Sequence, residues 1–257
     1  MEARSGMTLG LIGYGRFARF MHVLANRFVP QLKVRVFMRR PQPDVETVSL
    51  EEVAQCDIVA LTVPISAYEA TLKQIAPLLS PQSIVLDVAT VKMHTSRLIR
   101  EILPGQPYVS THPMFGPEGY AKRDNDVTGL RIVITDTNLE ARWIGTVSTM
   151  LRGFGFSVVE KTADEHDRDL AETLFLTHYV GQVIARGNFV RTDIDTPSFG
   201  FLMDAVDAVR HDTELFRQVL RYNPYCDAVI EKFDRCEKEV KELLLHEDQQ
   251  TAGLKDR

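Results

Sequence analysis

Thr8-Leu9-Gly10-Leu11-Ile12-Gly13-Tyr14-Gly15-Arg16-Phe17-Ala18 opens the chain's first folded unit. An apolar run of strand length meets a glycine pair, and a helix-period stretch, Phe17–Phe28, follows at once. Gly13 suits the tight turn, Gly15 lets a pyrophosphate approach the backbone, and Ala18 is small enough for close helix–strand packing. The N–H groups of the helix start are then donors for phosphate, which makes Gly13, Tyr14, Gly15, Arg16 and Phe17 candidate dinucleotide contacts.

The same alternation continues outward from this unit. Apolar runs recur at Leu9–Ile12, Val34–Met38, Ile58–Val63, Ile84–Val88, Tyr108–Thr111 and Leu130–Thr135. Helix-period stretches lie between most of them, at Leu50–Gln55, Ala67–Leu79 and Thr95–Leu103, with Asn138–Arg152 and a strand at Ser157–Lys161 to follow. Strand, helix, strand at this spacing implies βαβ units and a parallel sheet. The strands are apolar almost throughout, as expected when both faces of a sheet are covered.

After Thr162 the pattern changes. Ala163–Phe189 reads as one long helix, apolar on nearly every side over Leu174–Ile184, so that segment must be buried in a core or between subunits. Two more helical stretches, Phe199–Tyr222 and Tyr225–Leu245, flank Asn223-Pro224. The expected organisation is an α/β domain over residues 1–162, with a doubly wound sheet, and an all-helical domain over 163–257. The second part is small for a core of its own and is expected to form a homodimer. The tail after Glu247 is expected to fray.

Composition narrows the function classes. The 257 residues are 44% hydrophobic and 25% charged, ordinary for a globular protein and unlike a disordered chain or a rod. Cys56, Cys226 and Cys236 form no paired framework, which favours a reducing compartment over structural zinc or disulfides. No apolar run is long enough to span a bilayer, and no charged-then-apolar leader begins the chain, so a cytoplasmic location with no membrane partner is expected. The net charge is −5, weakly positive at the front and acidic at the rear. That distribution makes nucleic acid a poor partner and leaves a small phosphorylated ligand.

The second strand specifies the cofactor further. An NAD site usually places an acid at its end to accept from the ribose 2′-OH; Met38 stands there, and Arg39 and Arg40 follow. Guanidinium groups can fork onto a 2′-phosphate, so the residues point to NADP. Thr62, Val63 and Pro64, at the carboxyl end of the third strand, complete the expected cofactor contacts. Two further clusters fall on the same rim: Asp87-Val88-Ala89-Thr90-Val91-Lys92 and Thr111-His112-Pro113-Met114-Phe115-Gly116-Pro117-Glu118. A histidine at a strand end beside a nicotinamide can take a hydroxyl proton as hydride leaves the same carbon. His178, in the apolar part of the long helix, must find a partner or a ligand. His22, His94, His166, His211 and His246 fall on surface-like positions without metal-ligand spacing.

Together with Glu165-His166-Asp167 and Phe175-Leu176-Thr177-His178-Tyr179-Val180-Gly181, these strings resemble the prephenate/arogenate dehydrogenase family, in the form nearest the plant-type arogenate dehydrogenases. The resemblance spans about residues 7–245, and its most specific part is His112-Pro113-Met114-Phe115-Gly116-Pro117. It implies a Rossmann-type domain followed by a helical dimerisation domain. It also implies NADP-dependent oxidative decarboxylation of arogenate or prephenate in tyrosine biosynthesis. His112 matches the catalytic histidine, Thr90 a hydroxyl residue that is usually Ser, Glu118 an acid at the pocket mouth, and His178 a substrate-facing histidine. Bacterial prephenate-type members carry a second His where Gly181 stands, and an Arg for which Thr196–Asp207 has no counterpart. Asp212 and Glu214 are candidate partners for an arogenate ammonium. The competing readings are another NADP-dependent hydroxy-acid dehydrogenase and a non-catalytic NADP-binding dimeric sensor.

Overall fold

Seven strands form one sheet: β1 (Thr8–Ile12), β2 (Lys33–Phe37), β3 (Ile58–Leu61), β4 (Ile84–Asp87), β5 (Tyr108–Pro113), β6 (Arg131–Thr137) and β7 (Ser157–Glu160). The structure is a computed structural model that describes residues 6–252, with side chains described through Leu245. The surface position expected of His246 therefore lies outside the described residues, as do the side chains of the expected frayed tail. The strand order is β2-β1-β3-β4-β5-β6-β7. β1 to β5 pair in parallel, β6 runs antiparallel to β5, and β7 is parallel to β6. The expected all-parallel sheet is thus mixed, because β5 and β6 are joined without a long crossover helix.

Helices α1 (Arg16–Phe28), α2 (Leu50–Ala54), α3 (Tyr68–Ile75), α4 (Lys92–Ile102), α5 (Pro117–Ala121) and α6 (Ala141–Gly153) cover this sheet. Helix α1 buries Ala18 and Phe20. Phe20 joins Tyr120, Val127, Ile132 and Phe156 in one apolar cluster, while Leu9, Leu11, Val36 and Ala60 form another. The strand centres are sealed: Leu11, Val59, Ala60 and Val85 are fully buried.

The chain divides after Asp167 into two compact units, five residues beyond the boundary expected from periodicity. The first turns of α7 (Ala163–Leu170) belong to the sheet unit because Asp167 bonds to the start of α4 there. The second unit is helical throughout. A π-helical segment (Ala171–Phe175) links α7 to α8 (Leu176–Arg186), so the expected long helix is present with one widened turn. The stretch expected as one helix over 199–222 is two, α9 (Pro197–Val209) and α10 (Thr213–Tyr222), and α11 spans Cys226–Ala252. Among the described residues no helix is long and apolar enough to cross a membrane.

Candidate active site

The glycine turn is fixed by its neighbours. Gly13 has φ +94°, and a Cβ there would stand 3.0 Å from the Thr62 carbonyl oxygen and from Val63 Cγ1. Only glycine fits both demands. Its N–H donates to the Phe37 carbonyl at 2.9 Å, and the Thr62 hydroxyl donates to the carbonyls of Ile12 and Gly13, each at 2.9 Å. The carboxyl ends of β1, β2 and β3 are thereby gathered at one point, and Pro64 leads into a short 3₁₀ turn (Ile65–Ala67).

Gly15 plays a different part. Its backbone is extended, no side chain caps α1, and a Cβ there would meet nothing within 4 Å. The first-turn N–H groups of a thirteen-residue helix are thus left uncapped beside open space, which fits a dinucleotide's phosphates. Phe17 can serve there through its backbone, because its ring packs into the core cluster. The Tyr14 hydroxyl lies 2.7 Å from His22 Nδ1, with the Arg19 guanidinium 4.7 Å over the Tyr14 ring. Met38 packs against the core in the slot where an acid would sit, and Arg39 and Arg40 are exposed just beyond β2.

The next two strand ends are knotted around Asp87, which is fully buried. Its Oδ1 accepts from the Tyr68 hydroxyl at 2.6 Å and the Ala89 N–H at 2.8 Å. Its Oδ2 accepts from Lys92 Nζ at 2.8 Å, Thr95 Oγ1 at 2.7 Å and Ser110 Oγ at 3.1 Å. Lys92, also fully buried, donates to the Thr111 carbonyl at 2.7 Å. The loop carrying Thr90 is therefore anchored at both ends, beside the strand that carries His112. A register shift between Ser110 and Thr111 re-aims β5 just before that histidine.

His112 is 5% exposed. Its Nδ1 lies 2.9 Å from His166 Nε2, and His166 Nδ1 lies 2.8 Å from Asp167 Oδ1. Asp167 in turn accepts the N–H groups of Lys92 and Met93, each at 2.8 Å, at the start of α4. Among the described residues His112 Nε2 makes no hydrogen bond. Burial holds the His112 pKa well below the usual imidazole value, and the neighbouring His166 and Lys92 push the same way.

His166 corrects the sequence reading: it is buried rather than surface-like. The signal was present in the chain. Thr162 and Glu165 form reciprocal bonds, Glu165 Oε2 accepting from Thr162 N and Oγ1 at 2.8 Å each, and Glu165 N donating to Thr162 Oγ1 at 3.2 Å. That capping box fixes the first turn of α7, and His166 shares an inward face with the buried Leu170.

Arg16 and Glu118, expected on cofactor and substrate respectively, meet as an ion pair; Glu118 sits in the first turn of α5. In the helical unit His178 is 6% exposed and stacks on Phe216, ring centroids 6.0 Å apart. Among the described residues its Nδ1 is buried without a hydrogen-bond partner. Burial lowers its pKa, with Asp212 pulling the other way. Glu214 accepts from Gln218 Nε2 at 2.8 Å, as an ordinary helix-surface acid does. At Gly181 a Cβ would stand 2.4 Å from Val209 Cγ2. Among the described residues no cluster of side chains could hold a metal ion.

The family model described as prephenate dehydrogenase, nucleotide-binding domain, matches residues 39–160. Arogenate dehydrogenase 2, chloroplastic, of Arabidopsis thaliana is 29% identical over 73% of this chain and 54% of its own length. The probable arogenate/prephenate dehydrogenase of Methanocaldococcus jannaschii is 24% identical over 79% of this chain and 47% of its own. The chain thus spans about half the length of these relatives, and 29% of Arabidopsis arogenate dehydrogenase 1. Among solved structures, A. aeolicus prephenate dehydrogenase in complex with hydroxyphenyl propionate and NAD+ superposes with TM-score 0.76 at 20% identity, covering 96% of this chain and 94% of that one. Synechocystis arogenate dehydrogenase gives 0.67, also at 20% identity, covering 97% and 99%. The fold is therefore Rossmann-like with a helical C-terminal part, and the nucleotide-binding part of the chain is similar to that of prephenate dehydrogenases.

Proposed function

We propose that this chain oxidatively decarboxylates arogenate or prephenate with NADP, in tyrosine biosynthesis. The observation that carries the reading is His112, a buried imidazole with one nitrogen tied back and the other unbonded, on the same sheet rim as the glycine turn. The depressed pKa keeps that ring neutral near pH 7, as a base must be. Gly13, Gly15 and the start of α1 would hold the dinucleotide's phosphates, with Thr62, Val63 and Pro64 beside them. When bound, the nicotinamide supplies the hydride acceptor. His112 draws off the proton of the substrate's C4 hydroxyl as the C4–H hydride departs. The C1 carboxylate leaves as CO2, and the electron pair of that C–C bond completes the aromatic ring. Thr90 orients the same hydroxyl and Glu118 is a further substrate contact, while His178 is the helical unit's own candidate for one.

NADP is favoured over NAD because Met38 offers no acceptor for a ribose 2′-OH, while Arg39 and Arg40 are exposed where a 2′-phosphate would lie. A homodimer formed through the helical unit is supported by its exposed apolar side chains, with Ile194 88% and Phe201 74% accessible in the single chain.

Steady-state kinetics with arogenate and prephenate, each crossed against NADP and NAD, test the reading. Substrate-dependent CO2 release with one or both substrates is expected, and its absence with both refutes the activity. Exchange of Arg39 and Arg40 for alanine should weaken NADP by ~10–100-fold, the worth of one or two charge-assisted contacts, and leave NAD within about threefold. Equal loss for both cofactors refutes the NADP assignment.

A further inference from the structure

We propose that His166 and Asp167 are positioning residues that fix the tautomer of His112, leaving its Nε2 as the proton-accepting nitrogen. The inference rests on the reading of His112 as the base and adds how its reactive nitrogen is chosen. The argument runs outward from the carboxylate. Both Asp167 oxygens are occupied by donors: Oδ1 by the Lys92 N–H and by His166 Nδ1, Oδ2 by the Met93 N–H. An ionised carboxylate only accepts. His166 Nδ1 must therefore carry the proton of their bond, and neutral His166 then presents a lone pair at Nε2. His112 Nδ1, 2.9 Å away, can fill that contact only as an N–H donor. With its proton committed to Nδ1, neutral His112 has a free lone pair at Nε2 and nowhere else.

This order opposes the ring's own preference. A free imidazole side chain favours the proton on Nε2, the form that could not accept from a substrate hydroxyl at that atom. The relay therefore imposes the minor tautomer, and it does so from α4, the helix that directly follows Thr90. Reading the chain of bonds from its anchored end removes the ambiguity that heavy-atom positions alone leave in a histidine.

The test uses the full chain labelled with [15N]histidine and saturated with NADP. Long-range proton–nitrogen correlation spectra report the protonation of each ring nitrogen, with His112 assigned by its loss in His112→Asn. The wild type should show an unprotonated Nε2 and a protonated Nδ1. His166→Leu removes the acceptor, so the proton should move to Nε2, and kcat should fall ~100-fold, within the range set by a mis-set base. Both KM values should stay within about threefold, as for an interaction made only in the transition state. His166→Gln restores an acceptor oxygen and should keep the wild-type tautomer, with kcat within about tenfold of wild type.

A protonated Nε2 in the wild type overturns the proposal. So does a His166→Leu chain with tautomer and kcat unchanged, or a His166→Gln chain as impaired as the leucine variant. If His166→Leu does not fold, the wild-type spectrum and the glutamine variant decide alone. Should the wild type turn over neither substrate, the activity assignment fails while the nitrogen spectra still judge the relay.

Discussion

Lys92→Met should be the most destabilising single change at the strand ends. The ammonium is fully buried and makes two charge-assisted bonds, to Asp87 Oδ2 at 2.8 Å and to the Thr111 carbonyl at 2.7 Å. Methionine fills most of the same volume, so the cost is electrostatic rather than a cavity. Removing one partner of a buried pair typically costs about 3–5 kcal/mol, because the other charge is left uncompensated. Here Asp87 keeps four other donors, from Tyr68, Ala89, Thr95 and Ser110, which places the loss at the lower end, about 3 kcal/mol. For a unit of this size that is a fall in Tm of about 6–12 °C. The assay is thermal and urea unfolding of Lys92→Met beside the double variant Lys92→Met/Asp87→Asn. Removing both charges should recover about half of the loss, since the stranded carboxylate is its main source. A single variant that loses less than about 1 kcal/mol, or a double variant no more stable than the single, refutes this account of the pair.

Three other measurements follow from the site. Gly15→Val should leave the fold intact, because its Cβ meets open space at an ordinary φ of −75°, yet weaken NADP by ~100-fold or more by crowding the phosphate approach; a matched loss of stability instead would show that the glycine serves the turn. The acid limb of kcat/KM should have its midpoint below pH 6.5, because burial, His166 and Lys92 all disfavour protonated His112; a midpoint at or above 6.5 contradicts this. The same depression has a stability sign: the folded chain binds this proton less readily than the unfolded one, so the contribution is intact above about pH 6.5 and is lost as the pH falls below it, readable as a drop in urea midpoint that His112→Asn should lessen.

The sheet was legible because its strands are short, mostly apolar and separated by helix-period stretches; every expected strand is present within a residue or two at each end. The direction of β6 was not legible, since hydrophobic runs carry no polarity and only the connection before it decides. The five-residue α5 escaped because Pro117 and Gly119 leave too few turns for a period to show. The break between α9 and α10 falls at Arg210-His211-Asp212, where the sequence offers neither glycine nor proline. Individual site residues were readable where backbone demands are severe, as at Gly13. The His166–Asp167 pair was not, because its meaning lies in a contact with a strand more than fifty residues earlier. A capping box next to a His-Asp pair was the local clue, and it locates a helix start without saying what that helix faces.

The close packing at Gly181 limits how this helix can change over evolutionary time. With Val209 Cγ2 standing 2.4 Å from where a Cβ would be, a larger side chain there forces the valine to shift, and a smaller residue at 209 eases it. A lineage acquiring a second imidazole one turn along from His178 must pass through a loosened intermediate, and positions 181 and 209 should be seen to drift as a pair across descendants.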